Sequence, residues 1–292
     1  MRPTGCFPAA LGAGERGLQA QFRVLRRFTN VLPLEQALRD LLDGRPLPPR
    51  AVAITFDDGY RDNLELAGPM LRRLGLPATC FLVPGLLDGD VSPWWEELAW
   101  IFDNATAPAV EWAGAEHPIT EPSARRAVFK RIAEDVKRVD RIERDATVAR
   151  LREGVAPRGR YDLRSHFMDW DEARRLQEYM SIGSHTTYHA ILANETPQAQ
   201  REDLAGSRRR LEAGLGAPVR VLAYPNGKSI DYDDHTRAAA AAAGYDFSIT
   251  TRNGVSTPGT PRHDVRRWVM NPHRGPRDFA KVVRDLARDP GR

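Results

Sequence analysis

The chain is poor in cysteine and has no long hydrophobic run. Its two cysteines, Cys6 and Cys80, are too few for the disulfide framework that holds small secreted domains together. Cys80 lies inside the apolar segment 78–83, so we expect a buried free thiol there. No stretch of about 18 apolar residues occurs, which predicts that the chain has no integral membrane segment.

The N-terminal sequence also lacks the features of a targeting signal. Its first residues, MRPTGCFP, do not form the continuous apolar core that a signal peptide needs. We therefore expect a cytoplasmic protein, and secretion stays open as the alternative.

The positive charge is too evenly spread to indicate a nucleic-acid-binding protein. The net charge of +4 comes mainly from arginines in helical segments such as residues 201–210. Such a spread is typical of solvated helix faces. Because no basic stripe is interleaved with aromatic residues, we expect no nucleic-acid partner, and an anionic glycan or membrane surface is the better candidate. The sequence does not indicate an oligomeric state.

Short apolar runs alternate with amphipathic helical segments along the chain. This alternation predicts an α/β fold of parallel strands joined by crossover helices. With 292 residues and 41% hydrophobic content, the chain can form one domain with a sizeable core. The predicted strands are 52–56, 78–83, 181–184, 219–224 and 247–250. The predicted helices are 34–42, 63–74, 171–179, 197–214, 233–243 and 277–288.

Two groups of metal-binding residue types stand far apart in the sequence. Asp57 and Asp58 follow the apolar run 51–56, a pattern typical of a buried strand that ends in a tight turn. His185 and His189 lie four positions apart and would share one face if this stretch is helical. Imidazole nitrogens and carboxylate oxygens are ordinary zinc ligands, and two His with one Asp leave a coordination position open, as in catalytic sites.

The two adjacent carboxylates are expected to have different tasks. Because side chains alternate along a strand, Asp57 and Asp58 should point to different sides, so one can bind a metal while its neighbour reaches a water. Each group also has an ordinary explanation, since Asp-Asp-Gly is common in solvated turns and a His pair can arise by coincidence on a surface.

The residues around both groups resemble a known family. TFDDGY at 55–60, followed by GSHTTYH at 183–189, resembles the first two motifs of the polysaccharide deacetylases, carbohydrate esterase family four, which includes the nodulation-type chitooligosaccharide deacetylases. The similarity continues over residues 56–83, 168–192, 207–227 and 238–251, and it is weaker over 1–30 and 92–165.

The resemblance implies a distorted (β/α) barrel with about seven parallel strands. It predicts a single catalytic domain over residues 1–292, with the active site at the carboxyl ends of the strands. Residues 92–165 exceed a usual connection in length and are expected to form a helical insertion. The tryptophans of the insertion are expected to pack inside it, and stacking on sugar rings is the alternative.

The resemblance also implies a role for each residue of the two motifs. Asp58, His185 and His189 are expected to hold a divalent metal ion, with zinc as the first choice and cobalt or nickel as alternatives. Asp57 is expected to act as the general base. A third family loop is represented by LAYPNG at 222–227, where the Asn226 N–H is expected to donate to a developing oxyanion.

Two features of the family are absent from this sequence. Ala223 stands where the family has the arginine that orients the base, so we expect Arg267 to supply that group, with Arg262 second and a surface position for both as the alternative. The Leu-x-Leu-His string that carries the family's general acid does not occur. Either His263 or His273 could fill that role, with His263 preferred, and the alternative is that a metal-bound water does the work.

Together these expectations predict a metal-dependent hydrolase that removes an N-acetyl group from an amino sugar in a glycan or glycoconjugate. Its partner would be the N-acetylated sugar or glycan. Three alternatives stay open: hydrolysis of another C–N amide bond such as a cyclic imide or ureide, O-deacetylation of a xylan-like ester, and a non-catalytic glycan-binding relative. The intact acidic and histidine pairs count against the last of these.

Overall fold

The structure, a computed structural model, describes residues 14–162, 164, 166–270 and 283. The chain divides into two compact units. Of the described residues, 91–162 form one, here called the insertion unit, and the others form the main unit. Cys6, His273 and, apart from Val283, the predicted helix at 277–288 lie outside the described residues.

The described residues contain ten α-helices and nine strands. The helices are α1 (Gly14–Phe28), α2 (Leu34–Leu42), α3 (Gly68–Leu74), α4 (Pro84–Asp88), α5 (Trp94–Asp103), α6 (Pro122–Val136), α7 (Arg141–Val155), α8 (Trp170–Leu176), α9 (Pro197–Leu215) and α10 (Asp234–Ala242). The strands are β1 (Asn30–Val31), β2 (Ala51–Val52), β3 (Ile54–Phe56), β4 (Ala78–Leu82), β5 (Ala109–Trp112), β6 (Ala115–Pro118), β7 (Ser181–Ser184), β8 (Val221–Ala223) and β9 (Phe247–Ile249). A π-helical turn, Asn63–Ala67, leads directly into α3.

Five parallel strands form the central sheet of the main unit, in the order β3-β4-β7-β8-β9. An isolated parallel bridge joins Ile249 to Val265 beyond β9. The predicted strand at 52–56 is divided at Ala53, because β2 pairs with β1 while β3 pairs with β4. The architecture is therefore a half-barrel of parallel strands and helices, and the closed barrel of about seven strands is not confirmed.

Both faces of the central sheet are buried, which explains why its strands read as continuous apolar runs. On one face, Phe81, Val221 and Phe247 pack with Leu34 and Leu38 of α2. On the other face, a second cluster brings together side chains of the strands and of α3, α8, α9 and α10. The alternation of side chains along each strand divides its residues between these two clusters.

The helices that flank the site begin at side-chain caps. Asp169 caps α8 by accepting from the Glu172 N–H, and the Glu172 carboxylate accepts from the Asp169 N–H in return. Thr196 caps α9, which has Pro197 in its first turn. Caps of this kind satisfy N–H groups that have no partner inside the helix, and they fix where each helix starts.

Beside its helices the insertion unit contains a β-hairpin, which the prediction of a helical insertion did not include. Strands β5 and β6 pair antiparallel across the two-residue turn Ala113-Gly114, both with positive φ. A turn of this shape usually carries Asn-Gly or Asp-Gly. Because this chain has Ala113-Gly114 instead, its sequence indicates the hairpin only weakly. Helices α5, α6 and α7 supply the rest of the core, in which Trp94 is 3% exposed. Trp94 therefore packs inside the insertion unit, which explains its burial.

None of the helices among the described residues combines the length and the hydropathy that crossing a bilayer requires.

Candidate metal centre

The carboxyl ends of β3 and β7 bring the two predicted groups together. Asp57 and Asp58 follow Phe56, the last residue of β3, and His185 follows Ser184, the last residue of β7. Because both strands pair in parallel with β4, their carboxyl ends lie at the same edge of the sheet. This edge is where parallel α/β folds place functional side chains.

Asp58, His185 and His189 form a compact cluster of ligand atoms. Asp58 Oδ1 lies 3.4 Å from His185 Nε2 and 3.2 Å from His189 Nε2. One potential ligand atom from each residue lies within 4.8 Å of the other two. Both imidazoles are buried, whereas the Asp58 side chain keeps 19% of its surface exposed. The cluster is therefore largely buried, with part of the Asp58 side chain exposed to solvent.

The histidine segment is a loop, so the condition under which the pair would share a helix face is not met. Residues 185–189 are not helical, and Thr186 and His189 have φ of 64° and 50°. The turn of this loop, rather than helical periodicity, brings the two rings to a centroid distance of 5.0 Å. Left-handed backbone at β-branched and bulky residues is uncommon and concentrates at functional sites.

A backbone carbonyl fixes which nitrogen of His185 faces the cluster. His185 Nδ1 lies 2.7 Å from the Ala223 carbonyl, which can only accept a hydrogen bond, so Nδ1 carries the proton. In the neutral imidazole, the form that binds a metal, Nε2 is then the nitrogen with the lone pair, and it faces Asp58. This arrangement resembles the outer partners that orient metal-binding imidazoles.

The donor set fits a divalent ion of the zinc type. Asp58 Oδ1 is a buried oxygen that accepts no hydrogen bond among the described residues, although two imidazole nitrogens face it. Two nitrogens and one oxygen are a common zinc set, with one position left for a further ligand. Burial alone would raise the pKa of Asp58, but His185 and His189 outweigh it and lower that pKa. The carboxylate is therefore ionised, as a ligand must be.

Asp57 contacts a different partner, Arg267. The guanidinium donates to both carboxylate oxygens, from Nη1 to Oδ1 at 2.8 Å and from Nη2 to Oδ2 at 2.6 Å. Arg267 also donates to the Thr250 carbonyl and to Thr55 Oγ1, at 3.0 and 3.3 Å. Burial would raise the pKa of Asp57, but Arg267 and His185 lower it. Asp57 is thus ionised and held in one orientation by a two-pronged contact.

The loop after β8 brings a free backbone donor to the same edge of the sheet. Asn226 and Gly227 have φ of 58° and 71°, and the Asn226 and Gly227 carbonyls both accept hydrogen bonds from Thr251. Among the described residues, the Asn226 N–H has no acceptor. Ala223, at the start of this loop, is the residue whose carbonyl holds His185.

The other two candidates lie away from the cluster. His263 Nδ1 contacts Ser248 Oγ at 2.9 Å, and its backbone carbonyl accepts from the Tyr224 hydroxyl at 3.1 Å. Burial and the neighbouring charge of Arg262 lower the pKa of His263. Arg262 itself pairs with Asp43 at 3.0 Å. The structure therefore brings Arg267, but neither His263 nor Arg262, together with the acidic pair.

Two groups around the site were missed by sequence reasoning. The Ala223 carbonyl is a main-chain atom, which leaves no signature in residue types. Asp203 lies in α9 and accepts a hydrogen bond from the histidine loop, yet in the sequence it is one charge among many in the segment 201–210. Only the packing of α9 against the loop distinguishes it.

The sequence of the chain is similar to those of known proteins. A family model described as polysaccharide deacetylase matches residues 44–248. The Bacillus subtilis (strain 168) protein YxkH, which carries the name of a polysaccharide deacetylase, is 22% identical over 259 residues. That match covers 89% of this chain and 65% of YxkH, so the chain spans just under two thirds of the length of this curated relative.

Solved structures share the fold at low sequence identity. The Streptococcus pyogenes deacetylase PplD, solved in complex with acetate, superposes with a TM-score of 0.60 at 18% identity, covering 91% of this chain and 85% of PplD. A polysaccharide deacetylase from Bacillus cereus, BC0361, gives a TM-score of 0.58 at 19% identity. This match covers 97% of this chain and 65% of the BC0361 chain.

Proposed function

Because the chain belongs to the polysaccharide deacetylase family, we propose that it is a metal-dependent hydrolase that removes an N-acetyl group from an amino sugar in a glycan or glycoconjugate. The observation that carries this proposal is the position of the Asp57–Arg267 pair directly beside the cluster of Asp58, His185 and His189. A proton acceptor next to a set of metal ligands is what amide hydrolysis needs.

In this proposal Asp58, His185 and His189 hold the ion. A bound divalent ion, zinc by the chemistry of its three donors, would supply Lewis-acid chemistry by activating a water and polarising the acetyl carbonyl. Cobalt and nickel accept the same donors. The Ala223 carbonyl keeps the His185 ring in the tautomer that offers Nε2.

Asp57 is the proposed general base. Its carboxylate takes a proton from the attacking water as the new C–O bond forms, and Arg267 keeps it ionised beforehand. The Asn226 N–H donates to the oxygen on which negative charge develops. When the C–N bond breaks, the proton held by Asp57 passes to the leaving nitrogen, which gives a free amine and acetate. We assign this second transfer to Asp57 because the His263 ring contacts Ser248.

The first test measures acetate release from N-acetylglucosamine oligomers, with and without a chelator. We expect release that stops on chelation and returns when zinc is added. In Asp57→Asn we expect kcat to fall by about 10³, because the general base is lost, while the zinc content stays at the wild-type value. In His185→Ala we expect the zinc itself to be lost.

The contradicting outcomes separate the parts of the proposal. Full activity in both Asp57→Asn and His185→Ala would show that neither residue has its proposed role. Ring opening of a cyclic imide without acetate release would favour the other C–N hydrolase activity, and release from xylan acetate esters alone would favour O-deacetylation. Binding of the oligomers without turnover would favour a non-catalytic glycan-binding protein.

A further inference from the structure

One buried carboxylate of α9 holds the loop that carries both imidazoles. Asp203 Oδ1 accepts a hydrogen bond from the Thr187 N–H at 2.5 Å, and the Asp203 carbonyl accepts one from Thr187 Oγ1 at 3.2 Å. Asp203 is 7% exposed and Thr187 is 3% exposed. An ionised acceptor strengthens a hydrogen bond, and burial keeps water from competing for it.

Thr187 is the midpoint of the loop whose ends are His185 and His189. The flanking Thr186 and the terminal His189 both have left-handed backbone. Such conformations persist only where the surroundings hold them in place. Backbone contacts also hold the loop: the His185 N–H donates to the Leu82 carbonyl at 2.8 Å, and the Gly85 N–H donates to the Thr187 carbonyl at 3.1 Å. These contacts tie the loop to β4 and α4, whereas Asp203 ties it to α9.

We propose that Asp203 is a positioning residue for metal binding. By fixing Thr187, it keeps the Nε2 atoms of His185 and His189 directed at Asp58. Asp203 acts through the backbone and contributes no ligand atom to the cluster. Its removal therefore lowers the affinity for the ion without changing the number of ligands. The inference rests on the proposed function to the extent that the cluster binds a divalent ion.

The test compares zinc dissociation constants of full-length variants, measured by competition with a chromophoric chelator. Asp203→Ala is expected to weaken binding by about 10- to 100-fold, the usual effect of removing an outer partner of a metal ligand. Asp203→Asn keeps an acceptor for the Thr187 N–H but loses the charge, so its affinity is expected to lie between those of wild type and Asp203→Ala.

Gln200→Ala is the matched control. Gln200 lies on the same helix and is 1% exposed, but it contacts the Glu195 carbonyl and Thr236 Oγ1 rather than the histidine loop. Its loss should lower the thermal midpoint and leave the zinc affinity unchanged. This separates an effect on the loop from a general loss of stability.

The inference is overturned if Asp203→Ala binds zinc as tightly as wild type, or if Gln200→Ala weakens binding equally. Should Asp203→Ala not fold, Asp203→Asn decides, since a wild-type affinity in that variant also overturns the inference. A wild-type protein that binds none of zinc, cobalt and nickel would instead contradict the proposed function.

Discussion

Asp57 and Asp58 are chemically identical neighbours with different surroundings. Asp58 faces two imidazoles, while Asp57 is held by both prongs of the Arg267 guanidinium. Asp58 has a φ of 72°, which directs the chain away from the strand immediately after Asp57. The division between one metal ligand and one base therefore depends on the local backbone as much as on residue type.

At the residue scale we predict that replacing Arg267 changes kcat more than it changes the affinity of the protein for the metal. Arg267→Ala should lower kcat by about 10², because Asp57 loses its fixed orientation. Arg267→Lys should restore only part of the rate, since one ammonium group cannot hold both carboxylate oxygens. Steady-state kinetics on the oligomers, together with the zinc content, measures this.

Arg266→Ala is the control for that prediction, because Arg266 is the exposed neighbour of Arg267. It should keep the wild-type kcat. Equal losses in the Arg266 and Arg267 variants would mean that the effect comes from the segment rather than from the contact with Asp57.

Sequence reasoning found the side chains of the site better than the atoms that orient them. Asp58 and both histidines come from dense motifs, and Arg267 was sought because Ala223 leaves the base without an arginine. The position of His263 depends on how the chain beyond β9 runs beside Ser248, which no motif encodes. The role of the Ala223 carbonyl could not be predicted either, because no motif encodes the contact of a main-chain atom.

At the element scale, the positions of the five strands of the central sheet were predictable, and the ends of these strands were less so. Helix 34–42 and strand 181–184 coincide with α2 and β7, while the strand predicted at 219–224 shortens to β8. The apolar runs extend beyond the paired residues because both faces of the sheet are covered. Helix α1 was not predicted. The spacing of four between the two histidines, which would suit a helix, arises here from a tight turn.

We predict that β7 tolerates no side chain at Gly183. A Cβ there would lie 2.4 Å from ring atoms of Phe81 and 2.9 Å from the Val221 carbonyl. Gly183→Ala should lower the free energy of unfolding by about 1–3 kcal/mol, because a packed strand must shift. Denaturant titration followed by circular dichroism measures the change.

Gly154→Ala in α7 is the contrasting substitution, since a Cβ there meets nothing within 4 Å. A helical glycine replaced by alanine should gain about 0.5–1 kcal/mol. If Gly183→Ala were as stable as Gly154→Ala, the close approach between β7 and Phe81 would not exist in solution.

At the scale of the whole molecule, the cluster joins parts of the chain that are distant in sequence. Asp58 lies before the insertion unit and the two histidines lie after it. A ligand that binds only the folded chain stabilises it by mass action, by about 2.7 kcal/mol at a concentration of 100 times its Kd. We therefore predict that zinc raises the thermal midpoint of the wild-type protein.

His189→Ala should abolish this rise, because it removes one of the three donors. His235→Ala should keep it, since His235 is exposed on α10 and outside the cluster. A midpoint that responds to zinc equally in both variants would indicate binding elsewhere on the surface. Scanning calorimetry at several zinc concentrations makes the comparison.

Arg164 joins two chain segments that lie on either side of the insertion unit in the sequence. Its guanidinium donates to the carbonyls of Leu86 and Leu87, which precede that unit, and of Met168, which follows it, at 3.2, 2.8 and 2.8 Å. Arg164 thus holds together, within the main unit, the segment that precedes the insertion unit and the segment that follows it. The insertion unit is therefore a suitable place for protein engineering: it can be replaced by a shorter connection or by another domain, or new chain termini can be placed there.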